Sequence, residues 1–162
     1  MTEPVSTDHT SALSKAVCLA LYSTANATLQ LYRDLLAPWG LSYQQLMVLI
    51  VLWEEEVATP GHLADTLMLD SSSVAGLLRR MQRDGLIERS TDAADRRRVL
   101  VTATAAGHAL RDQLGPVAEC LGEAVPLDER SAAELISQLD TLRASLVAYE
   151  RPAAASLTAH VA

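Results

Sequence analysis

The sequence has few residues that could build a metal centre or a disulfide framework. Its two cysteines, Cys18 and Cys120, are far apart in the chain and form no CxxC motif. Its four histidines lack ligand spacing, so surface or capping roles fit them better than a metal site; they are His9, His62, His108 and His160. We therefore expect no metal and no cofactor, and we expect both cysteines to be thiols in a reducing compartment.

Long hydrophobic runs are also missing. The longest uninterrupted apolar run, Leu46 to Trp53, is well short of the roughly 20 residues that a membrane-spanning helix needs. The N-terminus has no basic segment followed by a hydrophobic one, which is the pattern of a secretory signal. These two absences predict a cytoplasmic protein without a membrane partner.

The size and composition are those of one soluble domain. The chain has 162 residues, of which 49% are hydrophobic, and this is enough to form a core without disulfides or metal. Both ends are polar or lack periodicity. We expect residues 11–150 to form a single domain, with a flexible N-terminus over 1–10 and a flexible tail over 151–162.

The formal charge of −7 is unfavourable for nucleic-acid binding, but the charge is unevenly distributed. Residues 79–98 hold seven arginines against four carboxylates, which gives this segment a charge of +3 and leaves −10 for the rest. One cationic patch on an acidic body is the charge pattern of a protein that grips a polyanion with a single element.

Helical signals dominate the chain. A first helix is predicted over about 11–37, where Pro38 and Gly40 end it. Capping residues predict where later helices begin: Ser42 with Gln45, Thr59 with Pro60, Asp70, and Ser131 with Glu134. The last helix has an apolar seam at four-three spacing that suits a helical partner; it consists of Leu135, Leu139, Leu142, Leu146 and Tyr149.

Two β-prone runs, "LIERS" and "RVLVT", flank a polar tip and predict a hairpin between the fourth and fifth helices. The order of elements predicts a mainly α fold with a small β hairpin, namely a winged helix-turn-helix with a helix at each terminus. We expect residues of about 42–103 to form a DNA-binding lobe. The terminal helices, about 11–37 and 104–150, are expected to dimerise.

The helix that begins after Asp70 has two different faces. Its apolar face is predicted to pack; it carries Val74, Leu77, Leu78 and Met81. The opposite face carries Ser72, Gly76, Arg79 and Arg83. Hydroxyl residues at a helix start with arginines further along suit a helix in the major groove; the expected DNA contacts are Ser71, Ser72, Ser73, Arg79, Arg80 and Arg83. Taken alone, such a pattern more often means an amphipathic helix whose charged face only meets water.

The hairpin beside this helix favours the DNA-binding interpretation. Its tip concentrates Arg96, Arg97 and Arg98, and an arginine on such a hairpin can enter the adjacent minor groove. The stretch "LDSSSVAGLLRRMQRDGLIERSTDAADRR", followed by "TAAG", resembles the winged helix-turn-helix region of MarR-type transcription regulators. The resemblance implies that Arg97 enters the minor groove and that Asp95 braces the hairpin. Ala103 stands where the family usually has leucine, so we expect looser packing of the wing.

Cys18 lies in an apolar stretch of the first helix, where a lone cysteine is usually inert packing. Tyr22 is one turn beyond it, so the tyrosine side chain can lie beside the sulfur. Tyr32 is about 21 Å further along at 1.5 Å per residue and cannot reach Cys18 of its own chain. In a dimer whose first helices cross about a two-fold axis, Cys18 of each chain would meet Tyr32 of the other. A thiolate with tyrosine donors is what a peroxide sensor needs.

The string "CLALYSTANATLQLYRDLLAPWGLSYQQLMVLIVLWEEE" is similar to the same region of the OhrR-type members of the MarR family, which sense organic hydroperoxides. The resemblance implies that Cys18 is the peroxidatic cysteine and that Tyr22, Tyr32 and Tyr43 surround it. In those relatives the thiolate becomes a sulfenic acid that condenses with a second thiol. Cys120 lies in the region from which some members supply the resolving cysteine. Gly115 and Pro116 are expected to kink or interrupt the helix before Cys120, and a small buried residue near that kink fits Cys120 equally well.

These inferences predict a homodimeric repressor, not an enzyme. Reduced protein is expected to bind a pseudo-palindromic operator in double-stranded DNA and to release it when an organic hydroperoxide oxidises Cys18. One alternative is a MarR-type repressor that binds a non-covalent small-molecule ligand, with Cys18 incidental. A second is a thiol peroxidase that uses the same chemistry, and the arginine-rich wing argues against it.

Overall fold

The computed structural model describes residues 7–150, which are mainly helical with one small antiparallel sheet. This confirms the predicted fold class. The helices are α1 (Thr7–Leu36), α2 (Tyr43–Glu55), α3 (Pro60–Leu67), α4 (Ser71–Arg83), α5 (Ala105–Gln113), α6 (Gly115–Ala124) and α7 (Glu129–Ala148). The strands are β1 (Val57–Ala58), β2 (Ile87–Thr91) and β3 (Val99–Ala103). A short 3-10 helix, Ala37–Trp39, joins α1 to the loop before α2.

Helix α1 begins earlier than predicted. Residues 7–10, which we expected to be flexible, are its first residues, whereas the rest of that segment and the expected tail over 151–162 lie outside the described residues. The helix ends near the predicted place. Pro38 leads into the 3-10 helix, and Gly40 adopts a φ of 63°, a left-handed conformation that glycine reaches without steric cost.

The predicted caps of α2 and α3 are confirmed. The Ser42 hydroxyl accepts the backbone N–H of Gln45 at 3.2 Å, and the Gln45 side-chain oxygen accepts the N–H of Ser42 at 2.8 Å. This reciprocal pair satisfies two backbone donors that would otherwise have no partner at the helix start. At the start of α3, the Thr59 hydroxyl accepts the N–H of His62 at 3.2 Å.

The core forms around α2, which contacts α1, α3, α4, α5 and two strands. Its fully buried residues include Val48, Leu49 and Leu52. Because this helix is apolar on nearly every side, it can pack against neighbours in several directions at once. The other elements complete the core with Leu63, Val74, Leu77, Leu78, Met81, Ile87 and Val101.

The sheet has the strand order β1-β3-β2, and both pairings are antiparallel. The predicted hairpin is β2 and β3, in a register that pairs Ile87 with Ala103 and Thr91 with Val99. The first strand was not predicted. It has only two residues, too few for an alternating pattern to show in the sequence, and it pairs with β3 along Val57–Ala58.

The described residues fall into two compact units that divide between Glu119 and Cys120. The second unit contains the end of α6 and all of α7. We predicted that Ser131 caps α7, and this is wrong: the Asp128 carboxylate accepts the N–H of Ser131 at 2.7 Å, so the helix begins at Glu129. Several apolar side chains of α7 are exposed, namely Leu135, Ile136, Leu139, Leu146 and Val147, as is Tyr149, the residue that follows the helix.

Helix α1 also exposes large apolar side chains, namely Val17, Leu19, Tyr22 and Leu29. Within the described residues, no single helix is long and apolar enough to cross a membrane. One bent pair, Ser14–Trp39 with Tyr43–Glu55, passes the same test by length and composition alone, with an angle of 77° between its halves.

Candidate DNA interface and candidate cysteine site

Helix α4 has the two faces that its sequence predicted. The four residues of the apolar face are at most 1% exposed; they are Val74, Leu77, Leu78 and Met81. The polar face is open to solvent and carries Ser71, Ser72, Ser73, Arg79, Arg80 and Arg83. Packing of α4 on α2 and α3 therefore holds every one of the predicted DNA contacts of this helix on the outside of the lobe.

Asp70 organises the start of α4. Its carboxylate accepts the N–H of Ser73 at 2.9 Å and the hydroxyl of Ser73 at 2.6 Å, and it also accepts the hydroxyl of Ser72. The hydrogen bonds from Ser72 and Ser73 hold the pKa of Asp70 well below its usual range. Because both hydroxyl protons point to Asp70, Ser72 and Ser73 offer lone pairs to an external partner. The Ser71 hydroxyl makes no hydrogen bond to any of the described residues.

The arginines of α4 surround an open concavity of about 560 Å³, lined by Gly76, Arg79, Arg80, Gln82 and Arg83. Arg83 lies 3.5 Å from Asp84, and both of these side chains are well exposed. Among the described residues, Arg79 and Arg80 pair with no carboxylate. Unpaired guanidinium groups on an exposed helix face are suited to phosphate or base-edge acceptors.

The wing tip is held by backbone hydrogen bonds to its own carboxylates. The Asp95 side chain accepts the N–H of Arg97 at 3.0 Å, and the Asp92 side chain accepts the N–H of Ala94 at 2.8 Å. Arg98 lies 3.8 Å from Asp92. Arg96 and Arg97 are exposed and form no ion pair within residues 7–150. The tip thus carries two free cations on a turn that Asp95 keeps in shape.

The base of the wing is fixed to α5 through contacts that the sequence did not predict. Thr104 caps α5 by accepting the N–H of Gly107 at 3.1 Å, and its hydroxyl donates to the carbonyl oxygen of Gly85 at 2.6 Å. The Trp53 indole N–H donates to the carbonyl oxygen of Gly107 at 3.0 Å. A Cβ on Gly107 would collide with the carbonyl oxygen of Leu86. The "TAAG" motif in the sequence indicates the start of a helix, but it does not reveal the close contact between Gly107 and Leu86.

Cys18 is an exposed free thiol on α1. Tyr22, one turn further along the helix, is 69% exposed. Both residues therefore lie on an exposed part of α1, together with the apolar residues Val17 and Leu19. A surface with these properties is suited to burial against another protein surface.

Tyr32 and Tyr43 are in contact near the other end of α1. Their ring centroids are 4.5 Å apart, with the planes tilted by 53°. Burial, with a smaller contribution from Tyr43, raises the pKa of Tyr32, so Tyr32 remains a protonated donor at neutral pH. Next to this pair is a cavity of about 430 Å³, whose lining includes Leu29, Arg33, Leu41 and Tyr43. The structure thus brings together Tyr32 and Tyr43, two of the four residues predicted for the cysteine site. Cys18 and Tyr32 lie on one continuous helix, about 21 Å apart along its axis, so they do not meet within one chain.

Cys120 is the second exposed free thiol and belongs to the second unit. Its exposure excludes the interpretation of Cys120 as a buried core residue within its own chain. No three His, Cys, Asp or Glu side chains among the described residues come close enough to hold a metal ion.

A helix-turn-helix beside an arginine-tipped β wing defines a winged helix-turn-helix protein. Residues 41–99 match the MarR family. The chain is 36% identical over 151 residues to the HTH-type transcriptional regulator TtmR of Methylorubrum extorquens, covering 91% of this chain and 77% of TtmR. The chain therefore belongs to the MarR family of DNA-binding transcriptional regulators.

The chain is also similar to regulators whose names or titles point to different effectors. The chain is 33% identical over 101 residues to the organic hydroperoxide resistance transcriptional regulator of Bacillus subtilis, covering 62% of this chain and 69% of that relative. AbfR of Staphylococcus epidermidis has the same fold, with a TM-score of 0.77, 22% identity and coverage of 88% and 98% of the two chains. BpsR of Bordetella bronchiseptica, whose DNA binding is regulated by 6-hydroxynicotinic acid, gives a TM-score of 0.71, 23% identity and coverage of 87% and 98%.

Proposed function

We propose that the protein is a homodimeric repressor that binds operator DNA while Cys18 is reduced and releases it when an organic hydroperoxide oxidises Cys18. The observation that carries the proposal is the exposed thiol of Cys18 on an uncovered surface of α1, one turn from Tyr22. The Bacillus subtilis relative, which is named for organic hydroperoxide resistance, supports the same class of oxidant.

In the proposed complex, α4 enters the major groove and the wing enters the adjacent minor groove. The three arginines of α4 and the two unpaired arginines of the wing tip supply the positive charge that phosphates require. Arg97 is the residue that reaches into the minor groove, because Asp95 fixes the turn from which it projects. Two such lobes in a dimer bind two half-sites of a pseudo-palindrome.

The dimer forms through the terminal helices. Helices α1 and α7 both expose apolar side chains that the described residues of the chain leave uncovered. A second copy of the same chain supplies a matching apolar surface by symmetry. If two α1 helices cross about a two-fold axis, Cys18 of one protomer lies near Tyr32 and Tyr43 of its partner, and each dimer contains two such sites.

The sensing reaction is a two-electron oxidation of the Cys18 sulfur. The thiolate attacks one peroxide oxygen, the O–O bond breaks, and the other oxygen takes up a proton and leaves as an alcohol. The sulfur becomes a sulfenic acid. A protonated tyrosine donates a hydrogen bond to the thiolate before the reaction and to the oxygen of the leaving group during it. The sulfenic acid then condenses with the thiol of Cys120 from the second protomer, which forms a disulfide and releases water.

Oxidation weakens DNA binding because the sensing site lies in the helix that sets the spacing of the two lobes. Loss of the thiolate–tyrosine hydrogen bonds shifts one α1 against the other, and the two lobes then no longer match the operator spacing. A loss of about 3 kcal/mol of binding free energy lowers affinity more than a hundredfold, at about 1.4 kcal/mol per decade.

The two exposed cysteines provide a matched test. A duplex is selected from a random-sequence library with reduced protein, and its binding is followed by fluorescence anisotropy during addition of cumene hydroperoxide. Wild type should release the duplex, whereas Cys18→Ser should stay bound. Cys120→Ser should release it but form no disulfide-linked dimer, with a sulfenic acid at Cys18 that dimedone traps. Release of the duplex from Cys18→Ser at the same peroxide dose would refute the proposal.

A repressor with a non-covalent ligand is the second candidate, and the cavity of about 430 Å³ beside Arg33 and Tyr43 favours it. Its size fits a small aromatic acid, and Arg33 supplies a cation for a carboxylate. If this candidate is right, Cys18→Ser protein releases the selected duplex on addition of an aromatic acid such as 6-hydroxynicotinic acid. Wild type then stays bound to the duplex when cumene hydroperoxide is added.

A further inference from the structure

Gly76 occupies an unfavourable position that packing among the described residues does not explain. It is the sixth residue of α4, in the interior of the helix. Glycine in a helix interior is less favourable than every residue except proline, because its backbone loses the most freedom on folding. A helix that contains such a residue therefore has either a packing reason or a functional reason for it.

No packing reason exists within the described part of the chain. Gly76 does not have a positive φ, unlike Gly40 and Gly85. A Cβ added to Gly76 would meet only the ends of two flexible side chains, Arg80 Nη1 at 3.6 Å and Arg79 Nη2 at 3.8 Å. Gly107 is different, because there a Cβ would collide with a backbone carbonyl oxygen. Alanine would fit at position 76 without displacing the backbone.

The missing side chain instead leaves room outside the helix. Gly76 lines the open concavity of about 560 Å³ on the polar face of α4, and the other lining residues are Arg79, Arg80, Gln82 and Arg83. No carboxylate lines this concavity. Two guanidinium groups thus approach the same point above Gly76 with no negative charge between them. Like charges at such a short distance repel each other, and an acceptor placed between them relieves the repulsion.

The shape of the concavity indicates which acceptor it receives. Phosphates lie along the rims of the major groove, whereas base edges form its floor and are reached only by close approach of the helix. A bare backbone flanked by arginines permits that approach at Gly76. Guanine presents two acceptors, O6 and N7, on its major-groove edge, and arginine is the side chain that binds both together.

We propose that Gly76 is a specificity-determining residue, whose missing side chain lets the edge of a guanine approach α4 closely enough for Arg79 or Arg80 to bind it. The inference rests on the proposed placement of α4 in the major groove and is independent of Cys18. It assigns to Gly76 a role in sequence discrimination and none in general affinity for DNA.

The test compares wild type with Gly76→Ala as reduced full-length protein. Each protein is measured against the duplex that wild type selects from a random library and against a scrambled duplex of the same length. Gly76→Ala should raise the thermal unfolding midpoint, since alanine is the better helix former. It should weaken binding of the selected duplex at least tenfold and change binding of the scrambled duplex less than twofold. Gly122→Ala, in the last turn of α6 and with no atom within 4 Å of an added Cβ, is the control and should leave the ratio of the two affinities unchanged.

Replacing guanines of the selected duplex by 7-deazaguanine, which lacks the N7 acceptor, identifies the contact. At one guanine per half-site the analogue should weaken binding by wild type about tenfold and add no further loss to Gly76→Ala. Three results would overturn the inference: unchanged selectivity in Gly76→Ala, an equal loss on both duplexes, or a lower unfolding midpoint. If Arg79→Ala with Arg80→Ala leaves both duplexes fully bound, α4 does not contact DNA, and the proposed interface itself is wrong.

Discussion

Gly107→Ala should destabilise the protein through one identifiable collision. The added Cβ overlaps the carbonyl oxygen of Leu86 and lies 3.3 Å from its carbonyl carbon and 3.4 Å from the Cβ of Ala103. The oxygen cannot move away freely, because it also accepts the N–H of Thr104 at 3.1 Å. A flexible side chain could rotate away from an added methyl group. The clashing atom here belongs to the backbone between α4 and the wing, which cannot move without displacing those elements.

The magnitude follows from three contributions. Overpacking of this kind costs up to about 3 kcal/mol, and weakening one backbone hydrogen bond costs about 1 kcal/mol. The better helix propensity of alanine returns about 1 kcal/mol. The last two contributions cancel, so the net loss is about 1–3 kcal/mol, which for a chain of this length lowers the unfolding midpoint by roughly 2–12 °C.

The assay is thermal unfolding by circular dichroism at one fixed protomer concentration, because dimerisation makes the midpoint depend on concentration. Gly61→Ala is the matched control. A Cβ at Gly61 meets no atom within 4 Å, and alanine is the better helix former in α3, so this variant should unfold at the wild-type temperature or up to about 4 °C above it. If Gly107→Ala unfolds at the same temperature as Gly61→Ala, the contact between the wing base and α5 is not the constraint that we describe.

Three further substitutions test the DNA face and the cysteine site. Arg97→Ala should weaken binding of the selected duplex roughly tenfold, about 1.4 kcal/mol, and reduce its salt dependence; an unchanged dissociation constant would exclude a minor-groove contact. Asp70 has a lowered pKa in the folded state, so its stabilisation is present above the unfolded value near 4 and is lost as the pH falls further. Asp70→Asn should therefore lose less stability than wild type between about pH 4 and pH 2, and parallel curves would contradict this. Tyr32→Phe should slow trapping of the Cys18 sulfenic acid by dimedone roughly tenfold, as expected for one lost hydrogen bond to a charged group, whereas an equal rate would show that Tyr32 is not the donor.

Local signals in the sequence predicted local structure well. Ser42, Thr59 and Asp70 were recognised as caps because each needs only a side-chain oxygen within three residues of the amide that it binds. Where two such signals compete, the sequence does not decide between them. Asp128 and Ser131 can both cap α7; the carboxylate of Asp128 does so, and Glu134 pairs instead with Arg130.

Features that depend on distant parts of the chain were not predictable in the same way. The pairing of β1 with β3 joins positions more than 40 residues apart through a strand of two residues. The contact of Gly107 with Leu86 likewise depends on how α5 returns to the wing. The packing of Tyr32 on Tyr43 was not predicted, because it requires the turn at Gly40 to bring α2 back against α1.

We propose that the oxidation state of the Cys18 sulfur controls DNA binding, and one titration checks this proposal. Wild-type protein bound to the selected duplex is titrated with cumene hydroperoxide, and each sample is divided between anisotropy and mass spectrometry of the Cys18 peptide. If the proposal is right, the fraction of released duplex rises in parallel with the fraction of dimers that contain oxidised Cys18. Duplex that is released while Cys18 is still reduced, or that stays bound when Cys18 is fully oxidised, would contradict it.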